Sequence, residues 1–268
     1  MSTTTTASAP TTARRMLNKV PEVTLWFWVI KIMCTTVGET AADYLNVNLG
    51  FGLTRTTYVA GALLLALLAV QLRLRRYVPA VYWAVVVVIS VFGTLITDNM
   101  SDRYAVPLTT STIGFSILLA VVFAAWWRVE RTLSIHAITT RRRELFYWLA
   151  ILFTFALGTA AGDLVAEQAN LGYATSIGLF GGAIGLVAIG HWALRLNPVL
   201  TFWLAYILTR PLGASIGDEM SQNSHRYGGL GLGTTGTSYL FLGAILALVV
   251  YLTISRRDVI RTPEVEPG

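Results

Sequence analysis

The residues with the most chemical potential come in four pairs. Glu39 precedes Asp43, Asp98 precedes Asp102, Asp163 precedes Glu167 and Asp218 precedes Gln222, in each case by four positions. On a helix this spacing puts both side chains on one face. Two ionised carboxylates so placed repel each other, and a cation or a proton relieves the repulsion. Four such pairs converging from four helices would form an acidic vestibule suited to binding a cation. Two cationic side chains, Lys31 and Arg210, lie inside apolar stretches. Either could pair with the carboxylates and move on protonation, as in an antiporter. Lys31 could equally snorkel to the interface, and Arg210-Pro211 predicts a kinked helix because proline removes an internal hydrogen bond.

Hydroxyl side chains offer further oxygen ligands. Thr56, Thr57, Thr112, Thr175, Ser176, Thr235 and Thr237 open the apolar stretch that follows each acid pair, about level with the aspartates across a hairpin. Carboxylates and hydroxyls together suit hard cations such as Mg²⁺, Ca²⁺ or Mn²⁺. The alternative is that these hydroxyls cap their own helices. Residue types alone leave the identity of any metal unknown.

The elements that must position these groups are repeats. Phe27-Trp28, Tyr82-Trp83, Tyr147-Trp148 and Phe202-Trp203 lead to Gly38, Gly93, Gly158 and Gly213, and then to Asp43, Asp98, Asp163 and Asp218. The pattern is W-x9-G-x4-D throughout. With 8 Trp, 23 Gly and 6 Asp in 268 residues, chance supplies about 0.01 matches, so four mean internal duplication. Trp28–Trp83 and Trp148–Trp203 are both 55 residues apart, while Trp28–Trp148 and Trp83–Trp203 are both 120. The chain therefore reads as two similar halves, each made of two similar hairpins. The motif glycines permit close helix packing, or loosen the helix so that it breaks around a ligand.

The composition is that of an integral membrane protein: 54% hydrophobic and 13% charged, with a mean hydropathy of +0.61. Eight stretches, roughly 23–42, 56–74, 78–97, 109–127, 145–163, 174–194, 198–217 and 235–254, approach the ~20 residues that span a bilayer core as helix. The fold class expected is all-α, with eight transmembrane helices arranged as four two-helix repeats of parallel orientation in two pseudo-symmetric halves. The units are about 20–75, 76–130, 143–195 and 196–255. The alternating segments of an outer-membrane barrel are absent. From Pro79 to Asp98 is 19 residues, about 28 Å of helix, which puts the acids near the far edge of a ~30 Å core unless the helices tilt or break.

The formal charge of +6 reports orientation rather than nucleic acid. Fifteen basic residues, among them Lys19, Arg73, Arg75, Arg76, Arg141, Arg142 and Arg143, fall in the termini and inter-repeat connections, against Arg55, Arg103 and Arg226 inside the hairpins. The positive-inside rule then places both termini and all inter-repeat loops in the cytoplasm. Residues 1–19 and 256–268 read as polar cytoplasmic tails. The longest linker, Arg128–Glu144, reads as an anchor near anionic headgroups, and the motif tryptophans as aromatic-belt or packing anchors. The overlapping pairs Gly178/Gly182 and Gly181/Gly185 have the spacing of close helix packing.

Enzymatic chemistry finds no support in the residues. Cys34 is the single cysteine and has no CxxC neighbour; His136, His191 and His225 are scattered; and no nucleophile motif occurs. The glycine-rich stretch Gly228–Gly236 lacks the lysine of a phosphate-binding loop. No cofactor is expected. The partners expected are the lipid bilayer and a cation.

The fourfold repeat and the segments TTVGETAADYL, GTLITDNMSD, GTAAGDLVAEQ and RPLGASIGDEMSQ resemble the bacterial inner-membrane family of DUF347 repeats. The resemblance covers about residues 20–255 and implies a multi-span, membrane-anchored protein without an assigned activity. Repeat four departs from the others in carrying Gln222 where a second acid is expected. The function expected is that of a secondary transporter or exporter of a cation, with a divalent metal as one candidate. The alternative is a non-transport membrane protein, structural or stress-related, whose acids only stabilise packing.

Overall fold

The computed structural model describes residues 18–223 and 229–259, apart from the side chains of Val47 and Glu167. The expected tails at 1–17 and 260–268, and residues 224–228 with His225 and Arg226, lie outside the described residues. Among the described residues are eight long helices and no strand: α1 (Leu25–Asp43), α2 (Gly52–Arg73), α3 (Pro79–Asp98), α4 (Leu108–Glu130), α5 (Arg141–Asp163), α6 (Tyr173–Trp192), α7 (Pro198–Ser221) and α8 (Gly233–Ser255). Seven are long and apolar enough to cross a membrane. The exception is α1, which carries Lys31, Thr35, Thr36, Glu39 and Thr40, all buried inside the bundle.

The four motif helices form an inner ring in which α1 packs on α3, α3 on α5, α5 on α7 and α7 back on α1. Two sets of contacts repeat around this ring. Near the helix starts, Phe27 meets Trp83, Tyr82 meets Trp148, Tyr147 meets Trp203 and Phe202 meets Trp28, with ring centroids 5.7, 5.5, 6.2 and 5.6 Å apart. Each repeat thus sets its first aromatic against the next repeat's tryptophan. Trp83, Trp148 and Trp203 are buried, so these side chains pack the interior instead of forming a headgroup belt.

The second cycle uses the motif glycines. A Cβ at Gly38 would stand 2.6 Å from Ser90 Cβ, one at Gly93 2.7 Å from Phe155 Cβ, one at Gly158 2.5 Å from Arg210 Cβ, and one at Gly213 2.6 Å from Thr35 Cβ. Thr35, Ser90, Phe155 and Arg210 are each the seventh residue after their tryptophan. The same offset therefore seats against the same glycine all the way round. The glycines serve close approach, the first of the two roles open from sequence, and the helices run through them unbroken. The distortion comes one step later: a single π turn follows the aspartate in three repeats, at Tyr44–Asn48, Asn99–Arg103 and Leu164–Gln168. Each is the closing turn of its helix, a common way for a helix to end. Repeat four lacks it, and α7 continues as α-helix through Pro211 to Ser221.

The outer helices are displaced by one repeat. The chief support of α2 is α3, that of α4 is α5, that of α6 is α7 and that of α8 is α1. Each hairpin hands its second helix to the following motif helix, so the ring is held by domain-like interleaving. Their outward faces expose Tyr58, Leu65, Ile113, Leu186 and Leu246, an apolar coat suited to lipid. In α6, nothing lies within 4 Å of a Cβ at Gly178, Gly181, Gly182 or Gly185. Among the described residues the close packing expected of those glycine pairs does not occur, because α6 meets α7 through its other face.

The inter-repeat connections gather at one end. Lys19, counted with the tail from sequence, is buried there, 2.6 Å from the Glu144 carboxylate and 3.2 Å from the Leu72 carbonyl, while Gln71 donates to Glu144 at 3.1 Å. The long linker is less an exposed anchor than a plug: Ile135 and Ile138 are buried, and Leu133 accepts a hydrogen bond from Trp203 Nε1 at 2.9 Å. Arg142 and Arg143 both engage Glu130.

Just past α8, Asp258 accepts a hydrogen bond of 2.6 Å from the Tyr77 hydroxyl, and its backbone carbonyl accepts from Glu22 N. Burial holds the Asp258 carboxyl above the usual carboxylate range, partly offset by the Tyr77 hydrogen bond, and burial likewise raises the Tyr77 phenol. The folded chain therefore binds the Asp258 proton more readily than the unfolded chain. Its contribution is full at low pH and is lost as pH climbs through the raised value. The thermal midpoint in detergent is expected to decline modestly over that window, and Asp258→Asn is expected to flatten the decline. A slope of equal size in the variant would assign the effect elsewhere.

Candidate functional site

At the end of the ring opposite the linkers, the acidic residues converge. A cavity of about 190 Å³ is lined by Glu39, the four motif aspartates Asp43, Asp98, Asp163 and Asp218, and Asp102, Asn46, Ser101 and Gln222. The cause is the register just described. Helices locked at the seventh and tenth residues after tryptophan must present their fifteenth residue, the aspartate, at one common level facing the axis. Carboxylate oxygens of Glu39, Asp163 and Asp218 come within 4.8 Å of one another, close enough to share one cation. Glu39 and Asp218 are buried, whereas Asp43, Asp98 and Asp163 are partly exposed.

Three of the four sequence pairs line this cavity with both members, and several of these side chains gain partners from other helices. Glu39 does not face Asp43 unrelieved: it accepts a hydrogen bond of 2.9 Å from Arg210. Gln222 donates to Asp43 of the adjacent helix at 3.4 Å. Asp102 sits at the exposed rim and accepts from Ser101 at 2.9 Å. The Glu167 side chain lies outside the described residues.

Arg210 stands behind the cavity lining as the partner of Glu39. It is wholly buried, and one guanidinium nitrogen serves Glu39, Thr94 and Thr159, the last at 2.7 Å, while the other reaches the Thr35 carbonyl at 3.4 Å. Glu39, Thr94 and Thr159 are each the eleventh residue after tryptophan, and the fourth repeat's equivalent is Ala214. One arginine is thus shared by the same position of three repeats. Thr94 and Thr159 escaped the sequence reading. Their signal in the sequence is a column of polar residues at the eleventh position of three repeats, uncharged in two of them.

One helical turn deeper, Lys31 is fully buried, its Nζ 4.1 Å from the centre of the Phe155 ring and 4.2 Å from that of Tyr206. It neither snorkels nor meets a motif carboxylate; among the described residues its Nζ has no hydrogen-bond partner. Below it, the hydroxyls of Tyr82 and Tyr147 share a 2.5 Å hydrogen bond, and the aromatic cycle closes the axis.

The hydroxyls that open the outer helices do not join the site. Thr56, Thr57, Ser176 and Thr237 donate to carbonyls four residues earlier in their own helices. No residue of Thr56, Thr57, Thr112, Thr175, Ser176, Thr235 and Thr237 lines the acidic cavity. The one-repeat displacement of the outer helices carries them away from their own aspartates.

No curated protein and no solved structure matches the chain. Segments 26–77, 81–132, 146–196 and 201–258 match the description Repeat of Unknown Function (DUF347), and each holds one motif helix with the outer helix that follows it. The closed ring is therefore made of four copies of one unit, and the chain belongs to the DUF347 repeat family.

Proposed function

We propose that the chain is a multi-pass protein of a bacterial inner membrane that binds and moves a cation, as a secondary transporter or exporter, with a divalent metal as the cargo best suited to the site. The carrying observation is the cavity, in which three carboxylates lie within 4.8 Å of one another among further acids at the mouth of a ring whose interior below is packed shut. Oxygen-rich sites of this kind suit hard cations, and ionisable groups inside spanning bundles generally serve function. The bilayer and the cation are the partners; catalysis, a cofactor and nucleic acid play no part.

All eight helices span in this reading. Although α1 is too polar by composition, it keeps the same register as α3, α5 and α7 and hides its polar groups within the ring. The basic connections put both termini in the cytoplasm and the acidic cavity on the opposite side. Movement of cargo then requires the Arg210 network, the Lys31 layer and the Tyr82–Tyr147 contact to open in turn.

A second reading draws on the Arg210 network, which ties all four motif helices together and would serve a purely structural protein equally well. Whole-cell metal content separates the two. Cells expressing wild type are compared with cells expressing Asp98→Asn/Asp163→Asn at matched membrane levels. A selective change in one metal with wild type, lost in the double variant, is expected. Coincident profiles for every metal would leave the structural reading.

A further inference from the structure

We propose that Arg210 is a tethered cation occupying the ring's own axial site, and that a cargo cation reaches Glu39 by displacing it; this rests on the cation-binding reading above. In the other three repeats the seventh position is Thr35, Ser90 or Phe155, none of them charged. Repeat four alone supplies a cation there, and repeat four alone has no polar group at the eleventh position, where Ala214 stands. The guanidinium donates to the acceptors that the other repeats present: the Glu39 carboxylate and the Thr94 and Thr159 hydroxyls. An arginine and its three ligands are thus divided among the repeats without overlap, as a cation and its coordinating oxygens would be.

Glu39 belongs to both assemblies. It is the salt-bridge partner of Arg210 and a member of the carboxylate group with Asp163 and Asp218. A cation drawn to that group competes with the guanidinium for the same side chain. The hold on Arg210 is also incomplete, since its Nε is buried without a hydrogen-bond partner among the described residues. Its retreat is restricted: the Phe155 ring, 5.8 Å from the guanidinium carbon, already carries Lys31 at 4.1 Å. Displacement therefore drives two cations together and keeps cargo binding weak and reversible in the wild type.

The test is Mn²⁺ binding to the purified full-length chain in detergent, read by electron paramagnetic resonance of the free ion. Removing the competitor with R210M is expected to tighten Mn²⁺ binding about tenfold or more, as expected when a like charge a few ångströms away is deleted. Adding E39Q to R210M should return affinity to the wild-type level or below. R210K, which keeps the charge, should stay near wild type. R210Q retains a donor for Thr94 and Thr159, and is read in place of R210M should that variant not elute as a single species. Mn²⁺ binding equal in wild type, R210M and R210Q would overturn the displacement while leaving the cation site intact. No Mn²⁺ binding in any of them would overturn the cation-binding reading itself, and the displacement with it.

Discussion

Gly158→Leu is expected to prevent assembly of the bundle. A Cβ at this position already stands 2.5 Å from Arg210 Cβ and 3.0 Å from Pro211 Cδ, and the rest of a leucine has nowhere to go between two buried helices. Arg210 cannot yield without leaving Glu39, Thr94 and Thr159, and Pro211 is fixed in the helix backbone. Overpacking a tight core costs roughly 1–3 kcal/mol for a few added methylenes. Here the loss of the Arg210 network comes in addition, a large part of the ~5–15 kcal/mol that holds an ordinary domain. The variant is expected to reach the membrane at low yield and to elute as aggregate in size-exclusion chromatography. Gly182→Leu adds the same side chain where nothing lies within 4 Å of the Cβ, and should elute as wild type. If the two variants behave alike, the glycine interlock is not what holds the ring.

The second large effect concerns charge. Glu39→Gln leaves the Arg210 guanidinium wholly buried without its salt-bridge partner. Breaking a buried pair from one side costs about 3–5 kcal/mol, because the remaining charge has lost its solvent and its counter-ion. Arg210→Met is expected to cost less, since Glu39 opens onto the cavity where water and cations reach it. The double variant Glu39→Gln/Arg210→Met should recover most of the loss seen with Glu39→Gln alone, a coupling that thermal unfolding of the four proteins in one detergent measures as a cycle. Additive losses would mean that the two side chains are neighbours without being partners.

These effects arise at contacts that the repeat pattern only half discloses. The glycines were visible in sequence as an invariant column, and their role in close approach was one of two readings. The choice between packing and breaking needed the neighbouring helix, because only the seventh residue of the next repeat fills the space that a glycine leaves. The hydroxyls of the outer helices show the converse. Hairpin spacing suggests a level near the aspartates, yet they do not line the cavity, since nothing in a repeat's own sequence says that its second helix will lie on the following repeat.

The sequence alone determined the fourfold repeat, the helical class and the rise from each tryptophan to its aspartate, because spacing along a helix is a local property. That the four aspartates share one level follows from the interlock of the seventh and tenth residues between neighbouring helices. Only the tertiary structure decided who faces whom. It joined Glu39 to Arg210, seated Lys31 between two rings instead of at the surface, and turned the glycines of α6 away from α7. Those outcomes depend on ring closure, which sets α7 against α1, some 175 residues apart at the contact of Arg210 with Thr35. A contact at that separation is fixed by the packing of all four repeats together and by no one of them.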